Sequence, residues 1–148
     1  MKALVSAIIV LLAASSLVLS DCPDGSFGSS FNNNTCYFLV NLATNFTFAE
    51  QICSDAFDGG HLASIHSATD DNNIYSNMYT ILNTTAYWIG GFRADTFRKW
   101  AWTDGSVFDY DNLSNATTDG HCILGGALWF NYVCNANFTF VCEFPTLD

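Results

Sequence analysis

The residues able to do chemistry in this 148-residue chain are six cysteines, three histidines and a loose group of aspartates. The cysteines, at 22, 36, 53, 122, 134 and 142, include no Cys-x-x-Cys pair of the kind that holds zinc. An even number reads instead as a disulfide framework, whose pairing the spacing alone leaves open. His61 and His66 lie five apart rather than the four that sets two imidazoles on one helical face, so both read as surface residues. Asp104, Asp109, Asp111 and Asp119 precede His121 in a polar stretch. Acidic loops of this kind can bind calcium weakly, but a solvated acidic face is the commoner outcome. No Gly-x-Ser-x-Gly elbow or His-Glu-x-x-His helix occurs, and the Gly-Gly pairs at 59, 90 and 125 lack the lysine of a phosphate loop. Enzyme chemistry is not expected.

The elements that position these residues begin after residue 20. Lys2 followed by the apolar run Ala3–Leu19 and the small Ser20 has the layout of a secretory signal peptide, too short for a bilayer span. The expected boundaries are a signal peptide over 1–20 and one domain over 21–148, with no membrane insertion after cleavage and an extracellular location. Without Lys2, three basic residues remain against 14 acidic ones, a net of −11. Such a surface repels phosphate, so neither nucleic acid nor an anionic membrane is an expected partner.

The TCYFLVN stretch, 35–41, has the character of a strand. Next, Thr47 and Glu50 match a capping box, and Phe48, Ile52 and Ala56 supply an apolar face up to Gly59-Gly60. A second helix is predicted from Thr69, with Asp70 and Asp71 favoured at its positive end and Ile74, Met78, Ile81 and Leu82 as its stripe. Beyond Asn83 come short strand-like segments, AYWIGGF, KWAWTDGS, HCILGGALWF and FTFVCEF, with the loop DYDNLSNATTDG among them. Two helices followed by short strands indicate an α+β fold. Trp88, Trp102 and Phe140 are predicted core rings.

Taken together, AEQIC with GGHLASI, WIGG, WAWTDGS and the closing WFNYVC…FVCE resemble the C-type lectin-like domain, in its long form, across the region from Cys22 to Glu143. The resemblance implies two helices flanking small antiparallel sheets. It also implies the pairs Cys22–Cys36, Cys53–Cys142 and Cys122–Cys134. Phe48 stands where the family often has a tryptophan on its first helix, and Leu113 replaces another.

Members that bind sugars through calcium use a Glu-Pro-Asn or Gln-Pro-Asp triplet and a Trp-Asn-Asp triplet whose Asp precedes a cysteine by three. Aligned on Cys134, the second triplet falls on Trp129, Phe130 and Asn131. Phe130 has no side-chain oxygen and Asn131 offers one neutral oxygen, whereas calcium wants several, with carboxylates supplying charge. The first triplet is missing, since prolines after residue 20 occur only at 23 and 145. No cofactor is expected, calcium included.

What the resemblance leaves is a binding module for a glycan, recognised without the usual chelate, or for a cell-surface protein. The candidate ligand-binding residues are Phe130, Asn131, Tyr132, Tyr110, Asp111 and Asn112, with rings to stack on a sugar and polar groups to orient its hydroxyls. Asn-x-Ser/Thr sequons mark Asn33, Asn45, Asn83, Asn112, Asn115 and Asn137 for N-glycosylation, which would mask much of a protein-binding surface.

Overall fold

A computed structural model describes residues 22–115 and 118–147; the signal segment lies outside the described residues. The order is β1 (Phe27–Gly28), β2 (Thr35–Thr44), α1 (Phe46–Ala56), β3 (His61–Leu62), α2 (Ala68–Leu82), β4 (Tyr87–Phe92), β5 (Ala101–Trp102), β6 (Cys122–Gly125), β7 (Phe130–Tyr132) and β8 (Phe138–Pro145). The strands run β1-β2-β8-β4-β6-β7, with β3 on β8 and β5 on β4. Antiparallel ladders at the two ends join through one parallel contact, Trp88 beside Phe140.

Strand β4 explains why this sheet is so apolar in sequence. Tyr87 and Ile89 face one cluster with Ile65, Ile74, Met78, Trp102, Ile123, Trp129 and Val141. Trp88, pointing the other way, joins Phe46, Ala49, Leu62, Leu124 and Phe140. Both faces are covered, so alternation vanishes and the strand reads as a continuous hydrophobic run. Gly91 is required here, because a Cβ would lie 2.4 Å from Cδ1 of Ile123.

Helix α1 starts two residues earlier than the capping box implies. Asn45 is the cap, and its side chain accepts from the Phe48 N–H at 2.9 Å. Glu50 is thereby too far into the helix to reach back to the cap. Its carboxylate accepts from Leu62 N at 2.8 Å and meets Nδ1 of His61 at 2.6 Å, tying α1 to β3. The buried face is Phe46, Ala49 and Cys53, with Ile52 half-buried against the same cluster, whereas Phe48 and Ala56 are exposed. Phe48 is 48% exposed, while Phe46 sets its edge against Trp88 at 5.7 Å.

Helix α2 begins at Ala68, capped by Ser67, whose side chain accepts from Asp70 N at 3.1 Å. Ile74 and Met78 are core and Leu82 packs against it, but Ile81 falls on the outer face and is exposed. The helix ends at a left-handed Asn83 (φ 51°) whose N–H bonds Met78 O. Three disulfides close the fold, Cys22–Cys36, Cys53–Cys142 and Cys122–Cys134, the pairs that the resemblance implies. The second spans 89 residues and fastens α1 to β8. Long closures of this kind restrict the unfolded chain by about 2–5 kcal/mol.

The shift in the α1 face has a measurable consequence. Phe46→Ala should cost about 3–5 kcal/mol in denaturant unfolding of the oxidised protein, whereas Phe48→Ala should cost under about 1 kcal/mol. Equal losses would restore the face read from the sequence.

Candidate functional site

The long loop between β5 and β6 is held by a carboxylate from the first turn of α2. Asp71, buried, accepts from Nε1 of Trp129 at 2.9 Å, Nδ2 of Asn112 at 2.8 Å and the Tyr110 hydroxyl at 3.2 Å. Burial raises its pKa, and the three donors oppose that rise. Trp129 adds edge contacts to Trp102 at 5.7 Å and Tyr110 at 5.5 Å. Backbone bonds on both sides of Leu113, Trp129 N to Asn112 O and Ser114 N to Trp129 O, complete the clamp. Tyr110 and Asn112 are therefore struts of the loop, their polar atoms engaged inward. Asp111 is exposed and accepts from Leu113 N at 2.7 Å in a local turn.

Strand alternation divides the other candidate residues. Asn131 is buried under the loop; its Nδ2 donates to the Thr118 and Gly120 carbonyls. The Thr118 hydroxyl donates in turn to Asn131 O at 2.5 Å. Gly120 is needed because a Cβ there would meet the Tyr132 backbone at 2.3 Å. Phe130 and Tyr132 point the opposite way, 42% and 40% exposed, and Tyr132 sets its edge on Phe138 at 5.4 Å. The three consecutive residues thus do not form one surface. Phe130 and Tyr132 belong to an outer apolar row with Leu128 and Val133 nearby in the chain.

The acidic residues of the loop also separate. Asp109 meets Nδ1 of His66 at 2.6 Å, Asp104 accepts from Ser64 and Ser106 at 2.6 Å each, and Asp119 flanks a cleft with His121. Among the described residues, no three His, Cys, Asp or Glu side chains converge as metal ligands. His61 and His66 are half-buried and partnered, not simply surface residues.

A second polar centre escaped the sequence reading. A cavity of about 140 Å³ is lined by Tyr37, Ser64, His66, Asp70, Asp104 and Glu143, among others. Asp70 accepts from Ser29 Oγ at 2.5 Å, Ser30 N at 2.7 Å and the Tyr37 hydroxyl at 3.2 Å, which binds the first hairpin to α2. Nε2 of His66 lies 3.1 Å from Ser64 Oγ, so Asp109, His66 and Ser64 line up as a nucleophilic triad would. The hydroxyl, however, is buried and already directed at Asp104 and at Glu143, 3.1 Å away. An alcohol whose proton is committed to two acids is not a poised nucleophile. Burial, and then the bond to Asp104, push Glu143 well above the usual carboxylate range. Burial opposes ionisation of Asp104 too, but bonds from Glu143, Ser106 and Ser64 hold it below that range. Glu143 is thus the proton carrier of the pair.

This arrangement of strands, loop and disulfides has counterparts among known proteins. The profile of the "Lectin C-type domain" family matches residues 43–144. A "Lectin" of Pleurodeles waltl is 34% identical over 76% of this chain and 72% of its own. "Snaclec botrocetin subunit alpha" of Bothrops jararaca is also 34% identical, over 84% of this chain and 98% of its own. A solved "calcium-independent type II antifreeze protein" superposes with a TM-score of 0.72 at 26% identity, over 85% of this chain and 95% of that one. The chain belongs to the C-type lectin family: it is a binding domain of that fold and not an enzyme. Domains of this family bind glycans or proteins.

Two expectations follow from the buried acids. Below the ordinary carboxylate range, stability rises with pH as Asp104 ionises; above it, stability falls as pH approaches the raised value of Glu143. Glu143→Gln should therefore flatten the decline in melting temperature as pH rises above the ordinary carboxylate range, and an unchanged slope would place the proton elsewhere. Second, a glycan on Asn112 would displace an amide hydrogen that Asp71 or the Ala127 carbonyl receives. Glycopeptide mass spectrometry of the folded protein should find Asn115 occupied and Asn112 bare.

Proposed function

We propose that this is a secreted domain, released from residues 1–20, that recognises glycans without the calcium chelate of its sugar-binding relatives. The observation that carries the reading is the inward turn of Asn131. At the position from which a carboxylate would reach calcium stands a neutral amide, spent on the Thr118 and Gly120 carbonyls. Calcium requires several oxygen ligands with charge among them, and this arrangement offers it little. The exposed rings of Phe130 and Tyr132 supply the alternative, an apolar platform of the size on which a sugar's C–H face stacks. The similarity to the Pleurodeles waltl lectin supports the same class of ligand.

A second reading has its own support. Leu128, Phe130, Tyr132 and Val133 are all substantially exposed, and apolar residues so grouped often mark a protein contact. The similar snaclec is named as a subunit, a chain that assembles with another.

A glycan array probed with the oxidised protein, in calcium and in EDTA, distinguishes these. Binding equal in both conditions and reduced at least tenfold by Phe130→Ala is the expected result. Binding lost in EDTA would overturn the calcium-free reading. A silent array in both conditions would transfer the outer face of β7 to a protein partner.

A further inference from the structure

The described residues hold three lysine or arginine side chains, Arg93, Arg98 and Lys99, all within the loop between β4 and β5. The chain as a whole carries −10, so scattering its cations would relieve self-repulsion best; gathering them gives up that relief. The loop is also ordered by its own bonds. Asp95 Oδ1 accepts from Phe97 N at 2.9 Å, and Asp95 O accepts from Arg98 N at 3.2 Å, closing a turn at the tip. At the root, Arg93 donates its backbone N–H to His121 O at 2.9 Å and Nη2 to Gly120 O at 3.2 Å. Its guanidinium rests 4.4 Å from the Trp100 ring centroid, and its buried Nε has no hydrogen-bond partner.

The tip is less committed than the root. Phe97 is 97% exposed and adds nothing to the core. Arg98 has only an exposed contact of 3.6 Å to Asp95, the kind worth little in water. Lys99 is exposed and forms no ion pair among the described residues. Register ties this loop to the aromatic platform: Phe92 pairs with Ala101 and with Cys122, and Cys122 pairs with Tyr132. The basic loop thus rises from the row that ends at Tyr132.

We propose that this loop gives the domain a preference for acidic sugars, meaning saccharides with a carboxylate on a terminal or near-terminal ring. The proposal rests on the glycan-binding reading and names its ligand class. An arginine fork matches a planar carboxylate, and Lys99 adds a compact charge beside it. Phe97, exposed at the tip, offers a ring to the apolar part of the same sugar. A long polyanion would be repelled by the acidic remainder of the surface. A single carboxylate at the tip feels mainly charges within the screening length of ~8 Å at physiological salt. Asp95, within the loop, is turned to Phe97 N and to Arg98, and Asp119 flanks the cleft beside His121.

The test uses the full chain, oxidised, against paired glycans that differ only in sialic or uronic acid, sulfate ester, or neither. The variants are Arg98→Ala with Lys99→Ala, and Phe97→Ala, all at exposed positions where the fold is not at stake. Expected are preferential binding of the carboxylate-bearing member, a loss of tenfold or more in the double variant, and weakening with added salt. Neutral glycans bound equally, with no effect of the double variant, would overturn the acidic-sugar inference and leave the glycan reading standing. A preference for sulfate esters over carboxylates would overturn the ligand class proposed. Failure of the parent protein to bind any glycan would remove the underlying reading, and this inference with it.

Discussion

A carboxylate buried under a protein surface must find donors, and the donors that satisfy it are fixed in space as a result. Asp71 uses this constraint to organise half of the domain. It leaves the first turn of α2 and receives an indole, an amide and a phenol from two segments far along the chain. Trp129 is placed by that bond, and with Trp129 goes the direction of β7. With β7 set, Asn131 must face the loop and Phe130 and Tyr132 must face away. The neighbouring Asp70 acts similarly on the opposite side, fastening the first hairpin to the same helical turn.

The fold was readable because its strongest signals are local or cumulative. Continuous apolar runs such as YWIGGF reflect a strand covered on both faces, and six cysteines with ordered motifs between them define one framework. The face of α1 was not decidable in the same way. Phe48, Ile52 and Ala56 satisfy helical spacing as well as Phe46, Ala49 and Cys53 do. Only the positions of Trp88 and the partner cysteine break that tie, and both are tertiary facts.

The site was less readable for a related reason. Asp70 and Asp71 look like ordinary charges at a helix start, because their partners stand 33–58 residues away. Nothing in a local window distinguishes a solvated aspartate from one that anchors a loop. The division of Phe130, Asn131 and Tyr132 is different, since alternation along any strand already separates neighbours to opposite faces. Treating them as one patch overlooked a period that the residues themselves carry.

One feature of the sheet bears on how the domain is displayed. The first long strand and the last pair along their length, Thr35 with Pro145, and Thr146 N donates to Asn34 O at 2.9 Å. Both ends of the described chain therefore leave side by side, from the β1-β2-β8 part of the sheet, while β7 and the outer aromatic row form the edge away from β1. A domain so arranged can be spliced between flanking segments, or hung from a stalk at either end, like a pendant on a closed clasp. Its far border then meets the surroundings in the same orientation whichever end is tethered.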